Sequence, residues 1–253
     1  MQKALTLRRT TVGMKAVMAI TGIVLFGFLI GHLAGNLQIL LGLLSPEQGA
    51  VALHEYAVGL RSIPFGGLWL VRGILLVCLL AHIAAAVSLS SRNADARPTD
   101  YKFKRKDQVT DYAARTMMWS GPIVAMYLLF HLLHLTFGYD MGAGQFDHQN
   151  PYDNLVYGFL DWRISTVYIV ANVMVGFHLW HGCWSFFQSL GLNHARYNGM
   201  RRVLAMAIAL FITIGNVGIP LVVMSGVIEP SNQQFCSPEL AVEEGECAGF
   251  DNQ

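Results

Sequence analysis

Charge is what this chain has least of. Only 13% of its 253 residues are Asp, Glu, Lys or Arg, against about a quarter in an ordinary soluble domain. Apolar residues make up 54%, so an ordinary soluble enzyme is excluded as the class of the whole. Cysteine is scarce too. The four present have no C-x-x-C or C-x-x-C-H spacing, which excludes a thiolate zinc site and covalent haem attachment. Cys78 and Cys183 lie inside apolar runs and read as small core residues. Cys236 and Cys247 sit together near the C-terminal end, where an oxidising compartment can join them as a structural link. No carboxylate falls inside any long apolar run.

What remains is long apolar sequence. A bilayer core needs about 20 apolar residues per spanning helix, and five stretches qualify: 16–44, 64–91, 117–138, 163–192 and 203–228. The expected fold is all-α, an integral membrane bundle of five transmembrane helices. Residues 1–228 form the membrane domain and 229–253 an acidic tail. The bilayer is thus the first partner, and nothing points to nucleic acid. Near-neutral net charge conceals a strong asymmetry. Lys3, Arg8, Arg9, Lys15, Arg92, Arg97, Lys102, Lys104, Arg105, Lys106, Arg115, Arg196, Arg201 and Arg202 fall on one side, leaving Arg61, Arg72 and Arg163 on the other. Basic residues in short loops stay inside. The N-terminus is therefore expected in the cytoplasm and the tail outside, in a multi-pass protein of the inner (cytoplasmic) membrane. The basic Y-K-F-K-R-K-D-Q of the 92–115 loop suits anionic lipid or a soluble docking partner. Trp69, Trp119, Trp162, Tyr112 and Tyr157 lie near span ends, as interfacial aromatics do.

Histidine breaks the apolar pattern. Six of nine lie within spans: His32, His82, His131, His134, His178 and His181. A single intramembrane histidine is a packing residue or a proton relay as readily as a ligand. Their joint placement says more. Counting helical rise from the outer boundaries puts His32 and His131 roughly 13–20 Å deep and His82 and His178 roughly 25–27 Å deep. Two pairs at two depths suit two b-type haems with paired axial imidazoles, an arrangement that favours electron transfer over oxygen binding. Zinc would need its ligands gathered at one point. His134 and His181 each follow a candidate by three residues and share its helix face, so helix counting leaves His131 against His134, and His178 against His181, open. Gly27, Gly31 and Gly35 recur every fourth residue, which permits close helix packing or a flat macrocycle beside His32.

Around these histidines the sequence resembles the dihaem cytochrome b membrane subunit of succinate:quinone oxidoreductases, the succinate dehydrogenase and fumarate reductase family. The resemblance is carried by F-L-I-G-H-L-A-G-N at His32, S-I-P-F before the second span and L-L-A-H ending at His82. G-P-I-V-A-M-Y-L-L-F-H ending at His131 and F-H-L-W-H-G-C-W-S-F around His178 complete it. It implies a distal haem on His32 and His131 and a proximal haem on His82 and His178, preferring His131 and His178 over their rivals. It also implies cytoplasmic partners, a flavoprotein with FAD and an iron–sulfur protein, where the dicarboxylate chemistry of the tricarboxylic acid cycle occurs. This chain is then the quinone-reactive, electron-carrying subunit of that respiratory enzyme, with menaquinone as its substrate near the distal haem. A dihaem b-type subunit of a hydrogenase or nitrate reductase is the alternative. A haem-free proton-relaying transporter finds no intramembrane carboxylate and no pair of broken half-helices to support it.

Quinone turnover moves protons as well as electrons, and His54 and Glu55 in L-H-E-Y before the second span are placed for that. The bland reading is that they cap an interfacial turn. Arg61 and Arg72 are candidates to pair with haem propionates, Arg163 a weaker one. One departure stands out. Some fumarate reductases of this type carry a glutamate two residues before the proximal ligand, where this chain has Gly176.

Overall fold

The computed structural model describes residues 10–96, 112–139, 146–192 and 194–235. The basic segment 101–108, Cys236, Cys247 and the acidic tail beyond residue 235 lie outside these. The described residues are helical, with no strand among them. Seven α-helices run in chain order: α1 Thr11–Asn36, α2 Pro46–Arg61, α3 Gly67–Asp95, α4 Tyr112–Leu135, α5 Pro151–Leu160, α6 Trp162–Ser189 and α7 Asn198–Met224. Among the described residues, five segments are long and apolar enough to cross a membrane: Thr11–Leu43, Pro64–Asp95, Thr116–Leu135, Trp162–Ser189 and Ala195–Met224. The chain is thus a multi-pass membrane protein. Its surface agrees: Leu70, Val77, Leu80, Val87, Phe211 and Ile214 are exposed along the spans, as are Trp69, Trp119 and Trp162 near their ends. In water such faces would associate; in lipid they are solvated.

Local sequence explains where the helices stop. Gly138 at φ 72° closes α4, its N–H returning to His134 O while Tyr139 N–H reaches Leu133 O. Gly191 at φ 75° ends α6, with Leu192 N–H on Phe187 O. Both are left-handed C-terminal caps that glycine enters without steric cost. α2 and α5, absent from the span pattern, start on strong caps. Ser45 Oγ accepts from Gln48 N–H at 3.1 Å ahead of Pro46, and Asn150 Oδ1 accepts from Asp153 N–H at 3.0 Å ahead of Pro151.

The helices divide between two compact units. The first takes the chain up to Leu33, Ile63–Met126 and Val170–Asn216. Small residues set its spacings: Gly176 lies against Thr213, so close that a Cβ there would overlap its hydroxyl, and Gly22 lies beside the His82 ring. α7 thus fills the space beside Gly176, and a larger side chain there would have to displace Thr213. The second unit takes Ala34–Ser62, Tyr127–Ile169 and the chain from Val217. Its core is Ile39, Ala50, Leu53, Tyr152, Leu155, Val156, Phe159, Tyr168, Ile219, Val223 and Ile228. Tyr152 is fully buried where Gly42 and Gly49 leave room for its ring, and its hydroxyl donates to Glu229 O at 2.9 Å.

Candidate haem and quinone sites

In the first unit, α3 brings His82 toward His178 of α6, their ring centroids 6.3 Å apart and their planes at 62°. What surrounds Nδ1 decides what each ring can do. His82 Nδ1 lies 3.1 Å from Met18 O and 3.2 Å from Thr21 Oγ1. A carbonyl only accepts, and the Thr21 hydroxyl already donates to Val17 O at 2.8 Å. The proton therefore sits on His82 Nδ1, leaving a lone pair on Nε2. At His178, Nδ1 lies 3.4 Å from Ser120 Oγ, whose own hydroxyl turns back to Met117 O, a weaker version of the same arrangement. An Nδ1–H held by a carbonyl or hydroxyl, with a basic Nε2 on the other side, is how histidines are prepared as metal ligands. His181 is half-buried one turn further along α6. His32 is half-buried too, stacked on Phe28 at 5.3 Å and 19°.

In the second unit His131 and His134 differ sharply. His134 is fully buried, stacked on Phe130 at 3° and 5.6 Å from it, and its Nδ1 is 3.0 Å from Tyr168 OH. His131 is half-buried, with Nδ1 3.5 Å from the same hydroxyl. Tyr168 of α6 is a site residue that the sequence reading missed. The signal was a buried-type aromatic with a polar tip in mid-span, which needs a hydrogen-bond partner.

Around α2, His54 and Glu55 are neighbours in sequence that face different surroundings. His54 Nδ1–H donates to Gln149 O at 2.8 Å, and its ring stacks on Phe235 at 4.1 Å and 8°. Glu55 lines an open hollow of about 380 Å³ with Glu47, Gln48, Val51, Ala52 and Gln233, near the lower end of small-molecule sites. Of the arginines proposed for propionates, Arg61 donates to Gln149 Oε1 at 2.9 Å and His148 O at 2.6 Å. Arg72 sits over Trp69, 4.9 Å from the ring centre. Arg163 clamps Asp161 at 2.8 Å, and that guanidinium's hydrogen bonds hold the carboxyl below its usual range.

Of the Gly27, Gly31 and Gly35 stripe, only Gly35 makes a close approach, to Tyr56; a Cβ on Gly27 or Gly31 would meet nothing within 4 Å. Among the described residues no three His, Cys, Asp or Glu side chains gather as a metal-ion cluster. Comparison with known protein families, curated proteins and solved structures finds no match to this chain.

Proposed function

We propose that this chain is the membrane-anchoring, quinone-reactive subunit of a succinate dehydrogenase or fumarate reductase, binding two b haems. The observation that carries this reading is the His82–His178 pair. Their ring centres stand 6.3 Å apart, close enough that the two imidazoles would hold one haem iron between them. The donor set fits the group: two rings, each with Nδ1 engaged and Nε2 left basic. Bound there, haem b supplies one-electron transfer, and saturation by two imidazoles suppresses oxygen chemistry. Met18 O and Thr21 orient His82, and Ser120 orients His178.

For the second haem, the ligands His32 and His131 rest on the sequence and its family resemblance alone. The resemblance to the dihaem family favours His131, with His134, whose Nδ1 is 3.0 Å from Tyr168 OH, as its rival. Charge asymmetry supports a cytoplasmic N-terminus, and the family resemblance implies a flavoprotein and an iron–sulfur subunit on that face, with an outer quinone site at Glu55 and His54. There Glu55 accepts protons at the hollow. His54, with Nδ1–H fixed on Gln149 O, offers a basic Nε2. Arg61 and Arg72 stay candidates for propionates, though each already has a local partner.

Purification from membranes of the expressing cell tests this directly. The expected result is a reduced b-type spectrum with two haems per chain, and a flavoprotein and an iron–sulfur protein in the same complex. Less than one haem per chain overturns the haem reading; two haems with different partners overturn the assignment to succinate or fumarate chemistry.

A further inference from the structure

Just after α7 the described chain, through residue 235, stays on the fold. Residues 229–235 lie along the second unit as a strap, tied at every second residue or closer. Tyr152 OH donates to Glu229 O at 2.9 Å. Ser231 donates its N–H to Asp153 Oδ1 at 2.7 Å and its hydroxyl to Oδ2 at 3.1 Å. Tyr157 OH donates to Asn232 Oδ1 at 3.0 Å, and Asn150 Nδ2 donates to Gln233 O at 2.8 Å. Asn232 turns the strap at φ 53°, a left-handed conformation that asparagine tolerates better than most residues.

Two strap side chains meet the residues assigned to quinone chemistry. Gln233 lines the hollow with Glu47 and Glu55, and its main chain, not its side chain, makes the bond to Asn150. Its amide is therefore free of the strap's own anchoring and can bond a ligand's oxygen. Phe235 lies flat on His54 at 4.1 Å. The ring of His54 is thus fixed from two sides, by Gln149 O at Nδ1 and by Phe235 on its face.

We infer that the strap 229–235 is a wall of the outer quinone site, with Gln233 contacting the quinone headgroup and Phe235 acting as the positioning residue for His54. This rests on the quinone reading of the hollow. Five of the six residues lining the hollow come from α2, and Gln233 is the strap's contribution to it. The ligand class is a two-oxygen aromatic headgroup, met by Gln233 and Glu55.

Equilibrium binding of 2-heptyl-4-hydroxyquinoline N-oxide, a fluorescent quinone mimic, to the full chain in its isolated complex tests the inference. Wild type is expected to bind, with Glu55→Gln weakening binding. Gln233→Ala is expected to weaken it about threefold to tenfold, the range for one hydrogen bond lost. Phe235→Ala should weaken it by a similar factor and Phe235→Tyr should restore wild-type binding, since the ring, not mere chain length, holds His54. If Phe235→Ala disrupts the strap, Gln233→Ala still decides, because it leaves every strap anchor in place. Wild-type binding lost in Glu55→Gln but unchanged in Gln233→Ala and Phe235→Ala overturns the strap's role while leaving the quinone site standing. No binding by wild type, or binding indifferent to Glu55 as well, overturns both.

Discussion

Gly22→Val is a sharp test of the His82 geometry because it alters no candidate ligand. A Cβ at Gly22 would stand 3.3 Å from His82 Cε1 and 3.6 Å from Nδ1. Alanine is therefore tolerated only if the ring yields by a few tenths of an ångström. Valine adds two methyls, and in a helix it has one strongly preferred rotamer with which to avoid the ring. The ring must move away from α1, the helix whose Met18 O and Thr21 Oγ1 hold Nδ1 at 3.1 and 3.2 Å. Overpacking of this kind costs about 1–3 kcal/mol. If it falls on haem retention, it corresponds to about a 5- to 150-fold weaker hold on one haem. Haem transfer from the purified complex to apomyoglobin measures this: one of two haems should leave faster in Gly22→Val, with Gly22→Ala intermediate. Gly73→Val on α3 is the control, since a Cβ there meets nothing within 4 Å. If Gly22→Val holds both haems as tightly as wild type, or Gly73→Val loses one equally, the proposed placement of His82 is wrong.

Four further outcomes are expected. Tyr168→Phe removes the hydroxyl between His131 and His134; a bond worth about 1 kcal/mol corresponds to roughly 40 mV. A redox titration should show one haem shifted by that order and the other unmoved. His131→Ala should lose a haem while His134→Ala keeps both but lowers thermal stability, read by haem content and a melting curve; the reverse pattern would exchange their roles. Gly176→Glu should fail to accumulate or melt well below wild type, because its side chain must displace Thr213 of α7. Finally, burial and the nearby carboxylates of Asp153 and Glu229 push the Tyr152 hydroxyl up to about 12. A raised folded pKa means its contribution is whole below the unfolded value near 10 and is lost as pH rises through the folded one. Unfolding followed between pH 10 and 12 should show a loss of stability that Tyr152→Phe abolishes.

The spans were legible because uncharged apolar runs of more than 20 residues have few alternatives as structures. α2 and α5 were less so, being short and half polar. Yet Ser45-Pro46-Glu47 and Asn150-Pro151 with Asp153 are start signals visible in the sequence. Helical rise alone put His82 and His178 at similar depths, and their rings do lie together. Their hydrogen-bond partners Met18, Thr21 and Ser120 were not legible, because they depend on which faces of other helices approach. Tyr168 was missed for that reason, as was the strap: five of its anchors join residues more than 70 positions apart. The arginines show the opposite failure. An arginine near a membrane needs some partner, and for Arg61 the 148–149 loop supplies it, which no helical count reveals.

His82 and His178 are proposed to hold one haem between them. Haem content of the purified complex in His82→Ala, His178→Ala and the double replacement tests it most directly. One haem is expected to be lost in each single variant, the same haem by its spectrum and potential, with no second haem lost in the double. Loss of different haems in the two single variants, or of both haems only in the double, would contradict it.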